Sequence, residues 1–177
     1  MRRNERDVLV ETPDGLFCPA GEFFIDPWNP VARAVITHAH GDHARPGNAA
    51  YLCAAPGAGL LRRRFGSDAV IESVPYGRRV RLGGVAVSFH PAGHVLGSAQ
   101  IRIEGEDGVW VAAGDYKRAA DPTCAPFEPI RCDTFITEST FGLPIYRWDT
   151  TDSVIADILG WWQSNSNEDK VSVLFCY

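Results

Sequence analysis

Thr37-His38-Ala39-His40-Gly41-Asp42-His43 decides the reading of this chain. Three of its five histidines, with one aspartate among them, follow directly on the apolar run Arg33-Ala34-Val35-Ile36-Thr37. A strand alternates its faces, so a strand carried through this stretch sets His38, His40 and Asp42 on one side. Gly41 admits backbone angles that other residues avoid, and a turn there brings Asp42 and His43 round to a different centre. Imidazole nitrogens and a carboxylate oxygen suit zinc, with manganese or iron as competitors where oxygen ligands dominate. The bland alternative is a polar loop with incidental histidines. So dense a ligand set in so short a span favours the metal site.

A chain of 177 residues fits one domain of ordinary size with a core of its own. Hydrophobic content of 45% and charged content of 22% describe a globular protein. The charged start Met1-Arg2-Arg3-Asn4-Glu5-Arg6-Asp7 leads into no long apolar segment. Neither a signal peptide nor a membrane-spanning helix is therefore expected, and a cytoplasmic location without a membrane partner is the default. The five cysteines, Cys18, Cys53, Cys124, Cys132 and Cys176, are odd in number and form no C-x-x-C pair. A disulfide framework and a cysteine zinc knuckle are both disfavoured, and most of the thiols are expected as small buried hydrophobes. The net charge of −5 weighs against nucleic acid as a partner. Two basic clusters, Arg62-Arg63-Arg64 and Arg78-Arg79 with Arg81, soften that objection, although each also reads as a solvated face. A bound metal pair would change the local sign as well.

The early chain reads as strands at 15–17, 22–26 and 34–37, separated by proline and glycine. A strand at 50–53 and a helix around 59–65, stopped by Gly66, follow the histidine loop. Gly83-Gly84 between alternating runs predicts one hairpin over 79–89, and Asp107-Gly108 predicts another joining 98–103 to 109–113. Residues 134–137 read as a buried strand. Val154, Ile155, Ile158, Leu159, Trp161 and Trp162 recur at helical spacing over 152–164, and those tryptophans are expected in a core. The terminal run 171–177 reads as an apolar strand ending without a turn or cap, so the native protein is expected to continue.

Two further positions match the histidine loop chemically. His94 lies on the glycine-flanked turn Ala92-Gly93-His94-Val95-Leu96-Gly97-Ser98, where backbone can approach a metal closely. His90, on the preceding strand, is the weaker candidate, suited to a supporting or core position. Asp115, in Ala113-Gly114-Asp115-Tyr116-Lys117, leaves an apolar strand and can bridge two cations with its two oxygens. Taken alone it would be an ordinary turn aspartate.

His-x-His-x-Asp-His, then Ala-Gly-His-x-x-Gly-Ser, then Gly-Asp-Tyr-Lys, each after a strand, together resemble the metallo-β-lactamase fold. Asp133-Thr134-Phe135-Ile136-Thr137-Glu138-Ser139-Thr140-Phe141-Gly142 resembles the first motif of the nucleic-acid-processing β-CASP branch. The segments 15–21, 43–47, 116–118 and 121–129 are similar to the bacterial DNA-ligase-associated exonucleases, relatives of Artemis and of RNA 3′-end processing nucleases. The resemblance runs over nearly the whole chain. It implies an α/β (α+β) fold, an incomplete αββα sandwich over residues 1–145, with the start of a β-CASP insertion at 146–177.

By the same resemblance His38, His40 and His94 bind a first metal, Asp42 and His43 a second, and Asp115 bridges them. Asp26 matches an aspartate that orients the histidine loop. Glu138 matches a carboxylate that holds a later histidine near the leaving oxygen, and with Asp42 and Asp115 it forms the implied catalytic set. Two zinc ions are implied, with manganese as the alternative, in a DNA exonuclease of repair that has a DNA ligase as a possible partner. RNA in place of DNA, a thioester or lactone as substrate, and a catalytically incomplete fragment are the competing readings. In the family the choice between DNA and RNA follows a motif beyond Tyr177. The later histidine and the last ligand of the second metal also lie beyond it, so tighter binding is expected at the first metal than at the second.

Overall fold

The computed structural model describes residues 7–175, and the chain divides into two units, one up to Glu138 and one from Ser139. Met1–Arg6, with most of the charged amino terminus, and Cys176–Tyr177 lie outside the described residues.

The first unit is built from two sheets. One runs in sequence order: β1 (Val10–Thr12), β2 (Gly15–Cys18), β3 (Phe23–Ile25), β4 (Ala34–Ile36), β5 (Tyr51–Ala54) and β6 (Ile71–Val74). Its first three strands are antiparallel and β3 to β6 are parallel. The other comprises β7 (Val80–Leu82), β8 (Val85–Pro91), β9 (Ala99–Gly105), β10 (Gly108–Ala112) and β11 (Thr134–Ile136), in the order β11-β10-β9-β8-β7. It is antiparallel except for the parallel pair β10 and β11.

The two sheets share one core. Phe23, Ile25, Val35 and Leu52 of the first pack with Val87, Phe89, Ile101 and Ile103 of the second. The outer face of the first sheet carries a second cluster, in which Ala34, Ile36, Tyr51 and Cys53 meet Ala58 and Leu61 of α1 (Ala58–Phe65). β4 is therefore buried on both faces, which explains its unbroken apolar run. Gly66 ends α1 at φ +88°, as its sequence position predicted. Among the described residues up to Glu138, α1 is the one α-helix, so the layers are helix, sheet, sheet.

Both hairpins form as expected, while β1 and β6 were not anticipated. Three expectations are corrected. First, β4 stops at Ile36, so no strand carries the histidines. The Thr37 N–H turns to the side chain of Asp26, and the Thr37 carbonyl accepts from Ala99 N of the other sheet at 2.9 Å. The ladder is thereby broken at the point where the motif begins.

Second, β11 is not buried: it is an edge strand with one neighbour, and Phe135 is 41% exposed. Third, α2 (Thr151–Asn167) in the second unit buries none of its residues, and Trp161 and Trp162 stay exposed. Its Thr150 cap accepts from Ser153 N at 3.3 Å. Residues 171–175 form no strand, since no neighbour pairs with them among the described residues of that unit.

The cysteines form no disulfide among the described residues; Cys18 and Cys53 are buried, whereas Cys124 and Cys132 are only partly so. No described helix is long and apolar enough to cross a membrane.

Gly97 closes the turn that carries His94. Its φ is +79°, and a Cβ there would collide with the Gly57 Cα and N, backbone against backbone. Gly97→Ala is expected to lower stability by about 1–3 kcal/mol, read as a fall in the urea midpoint. An unchanged midpoint would show that this approach is looser than described.

Candidate metal centre

The site is built where the strands run out. Asp26 follows β3, Thr37 to His43 follow β4, His94 lies between β8 and β9, and Asp115 follows β10. Gly114, at φ +58°, leaves room for Thr37: a Cβ there would lie 2.7 Å from Thr37 Cβ. The turn holding His94 is fixed by Ser98, whose Oγ accepts from His94 N at 3.1 Å and Val95 N at 3.2 Å.

One carboxylate organises the histidines. Asp26 Oδ1 accepts from Thr37 N–H at 2.8 Å, and Oδ2 accepts from the Thr37 hydroxyl at 2.5 Å and from His43 Nδ1 at 2.8 Å. With its hydroxyl hydrogen committed to Asp26, Thr37 Oγ1 accepts from His38 Nδ1 at 3.0 Å. The proton of His38 therefore sits on Nδ1, and its Nε2 carries a bare lone pair. The same carboxylate holds a proton on His43 Nδ1.

The bare nitrogen of His38 is an orphan. Nε2 is buried and has no hydrogen-bond partner, with Asp115 Oδ2 standing off at 3.7 Å. Burial, reinforced by the charges of His43, His40 and His94, lowers the His38 pKa to about 2, so the ring is neutral. His94 is also lowered: burial dominates, and Asp115 opposes it in part.

Around this atom the structure gathers His40, His94 and Asp115, and one ligand atom from each of the four residues lies within 4.8 Å of the others. His94 Nε2 is 3.3 Å from His40 Nδ1 and 3.6 Å from Asp115 Oδ2. A neutral buried imidazole with no partner, faced by two more imidazoles and a carboxylate, fits a divalent cation and fits little else. Asp115 turns its other oxygen, Oδ1, to His43 Nε2 at 3.2 Å, the disposition a bridging carboxylate needs.

The remaining sequence candidates are placed differently. Asp42 stands outside the quartet, with a side chain 75% exposed and Oδ2 3.7 Å from His43 Nε2. As expected, the turn at 41–43 sets it beside His43 rather than with His38 and His40, but Gly41 makes that turn without the left-handed φ that a glycine allows. Burial would lower the His43 pKa, and the hydrogen bond and charge of Asp26, with Asp115 and Asp42, outweigh it and raise the pKa to about 8. Glu138 accepts from Tyr116 N at 3.3 Å and lines a cleft of about 410 Å³ with Asp26, Asp42, His43 and Asp115.

His90 is outside the cluster, held between Ser88 and Glu128 at 3.0 Å each. Thr37 went unrecognised as a participant in the sequence. Its place directly before the motif was the one available signal.

No protein-family model matches this chain. It is 34% identical over 174 residues to a protein named probable DNA ligase in Opitutus terrae, a match covering 95% of this chain and 17% of that protein. It is 36% identical over 79 residues to cleavage and polyadenylation specificity factor subunit 3 of Dictyostelium discoideum, covering 44% of this chain and 10% of that one. Endoribonuclease YSH1 of Saccharomyces cerevisiae is 38% identical over 74 residues, 41% of this chain and 10% of its own length. The chain thus spans 10–17% of the length of these relatives. Its ordered histidine and aspartate motifs at the strand ends of a two-sheet sandwich, together with these partial matches, support a metallo-β-lactamase fold of the β-CASP branch.

Proposed function

We propose that this chain is the metal-binding part of a two-zinc phosphodiesterase, a DNA exonuclease that works in repair beside a DNA ligase in the cytoplasm. The observation that carries this reading is the orphaned His38 Nε2 facing His40, His94 and Asp115. The DNA assignment rests on the match that covers 95% of the chain. Residues 1–145 then form the metallo-β-lactamase-like part, and 146–177 begin the β-CASP region.

In this reading His38, His40, His94 and Asp115 would hold the first ion. Asp115, with His43 and Asp42, would hold the second. A zinc or manganese pair there supplies Lewis acidity, acidifying water and offsetting charge on a phosphate. The protein's own part is to hold protons in place. Asp26 and Thr37 keep them on Nδ1 of His43 and His38, so both Nε2 atoms point inward unprotonated once His43 is neutral. Glu138, fixed by Tyr116 N, stands at the cleft where it can orient the group that protonates the leaving oxygen.

RNA is the second reading, favoured by the endoribonuclease match over 41% of the chain. Labelled single-stranded DNA and RNA assayed side by side separate the two, and a thioester panel tests the small-molecule alternative.

His40→Ala or Asp115→Ala is expected to abolish metal-dependent strand cleavage, and unchanged rates in both variants would refute the assignment. Zinc titration by calorimetry is expected to resolve a tighter first site and a weaker second one. The raised His43 pKa means that a proton competes with metal at the second site until pH passes about 8. The second affinity should therefore climb as pH rises toward about 8 and level off above it, and the first should climb less because His38 is already neutral. In the metal-free protein the same group contributes stability in full below its unfolded pKa, and that contribution is lost as pH rises through about 8. Two equally tight sites with the same pH response would contradict this division.

A further inference from the structure

The candidate metal centre has two unlike mouths. The cleft of about 410 Å³ is bordered by four carboxylates, those of Asp26, Asp42, Asp115 and Glu138. Arg45 lies there too, but it is turned to the backbone, donating to Asp42 O at 3.3 Å and Trp28 O at 3.2 Å. A phosphate approaching from this side meets repulsion until metal is bound.

The other mouth is a groove of about 360 Å³ lined by Ala39, His40, Leu60, Arg63, Arg64 and Val95. Its described lining has two guanidinium groups and no carboxylate. His40, one of the clustered imidazoles, forms part of its wall, so the groove opens directly onto the metal centre.

The two arginines are held differently. Arg64 Nε donates to Ala44 O at 3.2 Å. Its guanidinium lies against Gly41, where a Cβ would meet Nη2 at 2.6 Å, so it nests closely under the histidine loop. Its remaining N–H groups have no carboxylate partner among the described residues. Arg63 is exposed, with no hydrogen bond or ion pair among the described residues. It lies one turn from Leu60, which is 41% exposed in the same groove.

A solvated helix face accounts for Arg62, which does not line the groove, and cations in the last turn of α1 suit the helix dipole. Neither account explains two uncompensated guanidinium groups walled by apolar side chains beside His40 in a chain of net charge −5. Planar forked donors on a partly apolar wall are suited to phosphate oxygens.

Resting on the nuclease reading above, we propose that this groove is a phosphate subsite. Arg63 and Arg64 grip the backbone of the nucleic-acid strand at a phosphodiester next to the one that is cut. The strand then enters over α1, and its scissile phosphate reaches the metals past His40. Arg63 supplies an open contact, and Arg64 couples the contact to the position of the histidine loop.

The test is fluorescence anisotropy of a labelled single-stranded DNA oligonucleotide with metal chelated, repeated over a range of salt concentrations. Arg63→Glu is expected to weaken binding about tenfold and to reduce the slope of log affinity against log salt by about 1. Arg81→Glu makes the same charge change on the exposed face of β7 and is expected to leave both quantities near those of the unsubstituted chain. Equal losses in the two variants, no loss in Arg63→Glu, or no measurable binding by the unsubstituted chain would overturn the proposal. Metal is then restored and cleavage measured separately. Binding that depends on Arg63 without any cleavage leaves the subsite standing and removes the nuclease reading.

Discussion

The carboxylate of Asp26 is the constraint on which the site depends. It ties the end of β3 to the end of β4 and to the histidine loop through three hydrogen bonds. Asp26 itself adopts φ +42°, a conformation costing a non-glycine residue about 1–3 kcal/mol. Each bond to the charged carboxylate contributes about 1.5–3 kcal/mol, so three of them outweigh the strain. The backbone is bent for the sake of the side chain's reach. From that position one anion fixes the proton on two imidazoles, directly on His43 and through the Thr37 hydroxyl on His38.

The sandwich supplies the remaining parts by ending its strands at one place. Ala99 N, at the start of β9, donates to Thr37 O and so joins the second sheet to the residue where the histidine motif begins. Gly97 against Gly57 and Gly114 against Thr37 are close approaches that bring the His94 and Asp115 turns in. The fold thereby buries His38 without satisfying its Nε2, a cost that a monomeric core normally avoids. An unsatisfied buried nitrogen of this kind is the mark of a ligand group.

Much of this was legible in the sequence because it is written in local chemistry. The glycine-bounded hairpins, the stop of α1 at Gly66 and the density of His38, His40 and His43 follow from residue type and spacing, whereas Asp115 joins His38, His40 and His94 through the family resemblance. What escaped depends on contacts distant in sequence. Period-two alternation carried the strand one residue too far, because the Thr37 N–H leaves the strand ladder for a carboxylate 11 positions earlier. Arg63 and Arg64 read as part of a solvated run, because nothing local shows that α1 packs beside His40. The tryptophans of α2 have the spacing of a core, yet no described partner covers them.

The most direct test of the account is a long-range hydrogen–nitrogen NMR correlation on the ¹⁵N-labelled, metal-free chain, recorded above pH 8, where His43 is neutral. It reports which ring nitrogen of each histidine carries the proton. The account predicts a protonated Nδ1 and a bare Nε2 on both His38 and His43, each bare atom directed at Asp115. A proton on Nε2 of His38 would contradict it, because Asp26 and Thr37 would then not be setting the ligand face of the site.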